Sequence, residues 1–323
     1  LAGIAALAGI AALAVGQATS VAPALAPATG PRIALDRDAV RAIVEDVAGA
    51  TASRFGTHDD RDHEMDTVKV IQVPDGTLVG LYHSYQDQTY SVHLATSDDL
   101  LDWTWQVTLA ERASMPTIRS ATDGGYVVAW EQEPDNHLKF ALYASLDDLM
   151  DGVAAKTWEP PRQLSSCAEG TPNLYTASSS RLDVGFHFYD ACDTDREARG
   201  SGDWSTWTAA PRSDLEDAVR ANGVRGGVGD RDVIVADGEE LTLVEGMAVQ
   251  DDWRTWRIYL HGGTSGTAKR LDIRTPGGSG AFTNPTISPV IIDGRPALAM
   301  SLFVPYEAAA DGEVGELIYY RTY

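Results

Sequence analysis

A weak unit recurs five times after residue 66. Each copy runs as a short apolar strand, a tight turn, and a second strand carrying aromatic or polar residues near its end. Three first strands begin alike: SMPTI at Ser114–Ile118, GTPNL at Gly170–Leu174 and TNPTI at Thr283–Ile287. Four turns are Asp-Gly, at Asp75-Gly76, Asp123-Gly124, Asp237-Gly238 and Asp293-Gly294, the pair that most favours a tight hairpin. The second strands read LVGLYHSY, YVVAWEQE, LDVGFHFYD, LTLVEGMA and ALAMSLFV. A unit of this size cannot bury its own apolar face. Copies stacked around an axis can, and that arrangement is a propeller. The fold class expected is all-β, a five-bladed β-propeller with a short N-terminal helical segment. The blades fall at about 61–110, 111–165, 166–212, 225–275 and 279–323. Every inner strand then aims one end at a shared central pocket.

The segment before the repeats divides in two. Residues 1–30 form an Ala/Pro-rich leader whose first part, Leu1 to Gly16, is nearly all Leu, Ala, Ile and Gly. It reads as the apolar region of a secretory signal, with Ala22-Pro23-Ala24 or Ala24-Leu25-Ala26 as the cleavage site. The alternative is a membrane anchor, for which the apolar run is short against the roughly 20 residues a span needs. Residues 31–60 follow as a helix and closure segment. Asp36–Ala50 has apolar residues at helical spacing with Asp36 placed to cap it. Ser213–Gly223 reads as a helical insertion capped by Ser213 or Asp214. The last blade is left about one strand short, and a strand near Arg32–Leu35 is expected to close the ring and remove its open edges.

Secretion fits the two cysteines, Cys167 and Cys192. One precedes the first strand of blade 3 and the other follows its second strand, ends that antiparallel pairing brings together. A disulfide is expected, with two buried thiols as the alternative. The net charge of −22 comes from 47 acidic and 25 basic residues, with no Lys/Arg cluster. Such a surface repels phosphate backbones, so no nucleic-acid partner is expected. A monomer is expected, with no stable membrane span once the signal is removed.

A second phrase recurs on the outer strands: SDDLLDWTW at Ser97–Trp105, GDWSTWT at Gly202–Thr208 and DDWRTWR at Asp251–Arg257. Its Ser and Asp suit turns, and its Trp suits the apolar space between blades. The phrase SxDLxxW after an aromatic-ended strand resembles the five-bladed β-propeller glycoside hydrolases, namely the arabinanase and β-xylosidase families and the invertase–levansucrase families. The resemblance spans about residues 60–323 and implies a secreted hydrolase whose partner is a carbohydrate substrate. In those enzymes an Asp at the start of the first inner strand is base or nucleophile, a Glu at a later strand start is the acid, and a further Asp tunes it. The matching positions are Asp66 and Glu169, the latter in an EGTP that resembles the families' EGP. Asp230 and Asp232 lie in GDRD, whose Arg-Asp pair resembles the invertase-like RDP without its Pro. Glu169→Gln is accordingly expected to abolish turnover.

Cleavage of a glycosidic bond needs one protonated carboxyl group and one carboxylate, on opposite sides of the bond. Crowded carboxylates in one funnel would raise one pKa, and Arg231 beside Asp232 would keep a partner ionised. Aligning the second strands brings His83, Glu131, His187 and Glu245 to equivalent places at the same mouth, as substrate-binding candidates, with Asn284 of FTNP beside them. No cofactor is expected, although a His/Glu set of this kind could hold a divalent cation. His58–Asp66, HDDRDHEMD, reads as a polar loop leading into blade 1. The alternative function is a propeller that binds carbohydrate or another surface without turnover.

Overall fold

The computed structural model describes residues 33–262 and 266–323. The expected signal lies outside the described residues. Five four-stranded antiparallel sheets form the blades of a closed ring. Their innermost strands are Asp66–Gln72, Ala113–Ser120, Glu169–Ala177, Val228–Ala236 and Thr283–Ile292. These strands are stitched to one another around the axis. Thr286 and Ser288 donate to the carbonyls of Val68 and Val70 at 2.6 Å each, joining blade 5 to blade 1. Arg119 donates to the Leu174 carbonyl, and Asn173 to that of Arg231.

The outer phrase packs as its composition requires. Ser97 Oγ accepts from Leu100 N at 2.9 Å, and Asp99 Oδ1 accepts from Leu101 N and Asp102 N. Trp103 then lies flat on Gly80, where a Cβ would stand 2.6 Å from the ring. Trp207 covers Gly200 in the same way in blade 3. In blades 1 and 3 an indole is thus buried against a strand position that has no side chain, which lets it pack closely on its own sheet.

The N-terminal segment differs from expectation in one respect. A helix forms over Arg37–Glu45, with Asp36 accepting from Ala39 N as its cap. It buries Val40, Ile43 and Val44 against blades 4 and 5, and the Tyr319 hydroxyl donates to the Val44 carbonyl at 2.8 Å. The ring is not closed by residues 33–35, the described part of the expected strand. Ile33 makes a single parallel bridge to Ala236 of blade 4. The closing strand is Ala52–Phe55, paired antiparallel with Gly315–Thr322. The helix stands between the two and uses the intervening chain, so only residues beyond it reach the open edge. The insertion after blade 3 is helical over Ser213–Arg220, its N-cap residue being Arg212 rather than Ser213 or Asp214.

Candidate active site at the funnel mouth

All five inner strands start with the same irregularity. Two residues face one across the pair, directly after Asp66, Ser114, Gly170, Val228 and Thr283. Such bulges re-aim the backbone where a strand ends. In four blades the next residue is left-handed without being glycine: Thr67 (φ 56°), Met115 (50°), Thr171 (49°) and Asn284 (50°). Blade 4 has Gly229 there. A β-branched residue at positive φ costs about 1–3 kcal/mol and persists only where its surroundings over-determine it.

The surroundings do so through the preceding blade. Met115 N donates to His83 Nδ1 at 3.4 Å, Thr171 N to Glu131 Oε2 at 3.2 Å, and Asn284 N to Glu245 Oε2 at 2.6 Å. Val68 N donates to Glu316 Oε1 at 3.2 Å. Between blades 3 and 4 the same task falls to Arg231. It donates to the carbonyls of Thr171 and Gly229 at 2.9 Å each and pairs with Glu197 at 2.7 Å, both side chains fully enclosed. Burial pushes the Glu131 and Glu245 carboxyls up, and takes Glu197 and Glu316 to about 8. Burial also drives His83 down to about 3, so it is a neutral acceptor.

These contacts redistribute the sequence candidates. His83, Glu131 and His187 do share one ring, opposite Asp66, Ser114 and Gly170. Glu245 stands one place out of step, because Gly246 pairs with Val228. His83, Glu131 and Glu245 each spend an acceptor atom on a neighbouring bulge. Arg231 does not hold Asp232. Successive strand residues point to opposite faces, and Arg231 turns between the blades to Glu197 while Asp232 turns to the channel. There Asp232 pairs with Lys69 of blade 1 and accepts from Ile287 N at 2.9 Å. Glu169 is also engaged. Its Oε1 accepts from Gln163 N at 2.7 Å, Ser165 N at 3.0 Å and Leu164 N, which ties it to the loop before the strand. The Cys167–Cys192 disulfide, with Cα atoms 5.6 Å apart, closes the same corner.

Of the four carboxylates at the strand starts, two keep a free oxygen, although Asp230 also takes a hydrogen bond from the Thr171 side chain. Asp66 Oδ1 and Asp230 Oδ2 are enclosed and lack a hydrogen-bond partner. Burial, with Glu64 adding to it, raises Asp66 to about 7. Burial raises Asp230 too, while His187 and Arg231 pull against it. Asn284 links the two. Its N–H is held by Glu245, whose carboxyl is pushed up by burial and by the Asp230 charge, and its Nδ2 donates at 3.1 Å to Thr67 Oγ1, next to Asp66. His187 Nε2 lies 3.4 Å from Thr171 Oγ1 and 3.8 Å from Asp195 Oδ1, and its Nδ1 is enclosed without a partner. The 58–65 loop is pinned to blade 1 beside this mouth. Asp59 accepts from Arg61 N, His63 N, His63 Nδ1 and the Tyr82 hydroxyl.

Sequence reasoning missed Lys69, Asp195, Glu197 and Glu316. The last two had a signal, since each is a lone Glu inside a strand, Glu197 in REARG and Glu316 one residue into GELIYY. Among the described residues, no group of three or more His, Cys, Asp or Glu side chains is arranged to hold a metal ion. No described helix is long and apolar enough to cross a membrane.

No protein-family model matches the sequence, and no curated protein matches it. In three dimensions the chain is similar to a thermostable family-43 glycoside hydrolase, at 12% identity and TM-score 0.52, over 83% of this chain and 91% of that one. It is similar to an exo-1,5-alpha-L-arabinanase from a bovine ruminal metagenomic library, at 11% and 0.55, over 82% and 95%. It is also similar to the endo-arabinanase of Bacillus licheniformis, at 12% and 0.54, over 83% and 96%. The fold is thus that of the five-bladed propeller glycoside hydrolases. A fold by itself does not carry an activity.

Proposed function

We propose that this chain is a secreted glycoside hydrolase in which Asp66 and Asp230 form the working carboxylate pair. One observation carries the reading: of the four candidate carboxylates, only these two keep an enclosed oxygen with no partner. They come from blades 1 and 4, with blade 5 between them, so they approach the funnel from different sides. Asp66, protonated up to about pH 7 through burial, gives its proton to the leaving oxygen. Asp230 carries the opposing negative charge, with His187 and Arg231 offsetting the cost of its burial. Glu169 and Asp232 position the loop and the channel wall. The solved structures it resembles bear the names of arabinanases and a family-43 hydrolase, which supports a glycan as substrate. The disulfide supports export.

The test is sugar release from a panel of polysaccharides and aryl glycosides by the wild type, Asp66→Asn and Asp230→Asn. Release by the wild type alone supports the pair. Equal release by all three removes both residues from the mechanism. A second reading, sugar binding without turnover, is favoured by Ser114, which leaves the blade 2 mouth without a carboxylate. Binding to a glycan with no release from any substrate would select it.

A further inference from the structure

The well-exposed aromatic side chains among the described residues gather on one face. They are Tyr85 (56% exposed), Tyr90 (37%), Trp253 (47%) and Tyr306 (83%). Each stands where the second strand of its blade passes to the third. In an antiparallel blade that end lies beside the start of the inner strand, so all four border the mouth that holds Asp66 and Asp230. Their blades are 4, 5 and 1, which are consecutive around the ring.

Their supports are rigid. Tyr85 and Tyr90 are cross-strand partners with ring centroids 4.7 Å apart. The turn between their strands is made by Asp87 and Gln88, both left-handed, the two-residue hairpin that matches strand twist. Tyr90 also sets its edge on His83 at 5.4 Å, and His83 is the register partner of Asp66. Trp253 and Tyr306 ride on two short 3₁₀ turns, Trp253–Thr255 and Tyr306–Ala308, which pack together. Beneath them Ala308 rests on a cluster of Met247, Trp256 and Ala281.

Resting on the reading of the funnel as a sugar-cleaving site, we propose that these four side chains form a stacking arc for a neutral polysaccharide, laid across blades 4, 5 and 1 and leading into the funnel. A sugar ring presents a C–H face that packs on an aromatic face, while the Tyr hydroxyl and Trp N–H meet its hydroxyl groups. Aromatic rings with few rotatable bonds bind at low entropic cost, the more so on fixed turns. The neighbouring charges are mainly acidic: Asp87 in the hairpin, Asp251 before Trp253, and Glu307 after Tyr306, while Asp252 is paired with Arg254. With a net charge of −22, this face repels an acidic polymer and leaves a neutral one. An arc laid over three of the five blades calls for a polymer rather than a disaccharide.

The test is affinity electrophoresis of the whole chain through gels containing linear arabinan, xylan or levan, with polygalacturonate as the acidic comparison. The samples are wild type, Tyr85→Ala/Tyr90→Ala, Trp253→Ala/Tyr306→Ala, Tyr85→Phe/Tyr90→Phe and Asp66→Asn. At least one neutral polymer should retard the wild type. Each Ala pair should weaken that retardation about tenfold or more in Kd; the Phe pair, which keeps the ring faces and loses only the hydroxyls, should weaken it by less than about threefold, and Asp66→Asn should keep it. Retardation that survives both Ala pairs overturns the arc. So does retardation by polygalacturonate alone, or by none of the polymers. Retardation lost in the Ala pairs of a protein that releases no sugar keeps the arc and removes the hydrolase reading, so the two fail separately.

Discussion

The mouths of blades 1 and 3 begin from the same parts and end differently. Each has an acidic residue at its strand start, Asp66 or Glu169, then a bulge and a left-handed threonine, Thr67 or Thr171. In blade 3 the loop before the strand folds back and gives three backbone N–H groups to Glu169, and a disulfide fixes the corner. In blade 1 the preceding loop is drawn away by Asp59, which binds its own backbone and Tyr82. Asp66 is left enclosed with an unpaired oxygen. A carboxylate at a strand start is therefore raw material. Register and the neighbouring loop together set its contacts: Asp66 stands opposite His83, whereas Gly170 rather than Glu169 stands opposite His187, so Glu169 turns to the other face and meets the loop.

The comparison breaks most visibly in turnover. Asp66→Asn should lower kcat by about 10²–10⁴-fold, the range of a lost acid–base group. Glu169→Gln should cost less than about tenfold in kcat and lower the melting temperature instead. This replaces the expectation that Glu169→Gln abolishes turnover, and steady-state kinetics beside a thermal melt decides it; the reverse pattern would exchange the two roles. Next in size is the pair that holds blade 3's bulge. Arg231→Met leaves Glu197 enclosed without its cation and should cost about 3–5 kcal/mol in denaturant unfolding. A loss below about 1 kcal/mol would mean that blade 3's mouth is held by something else. Removing the disulfide, as Cys167→Ser/Cys192→Ser, opens a loop whose ends are 25 residues apart. It should cost about 3 kcal/mol and raise protease sensitivity at residues 163–168 while leaving those around Asp66 protected.

The smallest effect is in pH dependence, on the blade 1 side. Burial raises Asp66 to about 7 and Glu316 to about 8. Both then bind protons in the folded state that the unfolded state has released above about pH 4.5. Stability contributed by these protons is full below that pH and is lost as pH rises toward 8. Glu316→Gln keeps an acceptor for Val68 N but removes one titration, so its melting temperature should fall less steeply between pH 5 and 8. Identical slopes in wild type and variant would show that Glu316 is not protonated in the fold. Turnover on a soluble substrate should decline as pH passes about 7, where Asp66 loses its proton.

The repeats made the ring legible, because turn chemistry and period-two alternation are local and survive in each copy. The Asp36-capped helix was legible for the same reason. The closing strand was not. Ala52–Phe55 is four residues long with no buried position, and its partner lies at the far end of the sequence. The site was legible only as a set of acids near strand starts. What distinguishes Asp66 from Glu169, or Asp230 from Asp232, is whether backbone N–H groups or Lys69 reach them, and those contacts cross between blades or depend on how a loop turns back. The clamps show the same limit. Glu131 and Glu245 stand in the sequence as substrate-binding candidates, and nothing local shows that one carboxyl oxygen of each accepts from Thr171 N or Asn284 N of the next blade.

Closure by Ala52–Phe55 against Gly315–Thr322 has a consequence in time. A chain made from its N-terminus presents that short strand early, and its partner emerges only after the other strands of the ring. Throughout synthesis the early strand has no place to dock, and the final blade keeps an open edge until the two ends of the ring meet. Assembly therefore finishes with a single long-range event rather than blade by blade. Until that latch engages, the ring stays open to proteases and to pairing with another copy of itself.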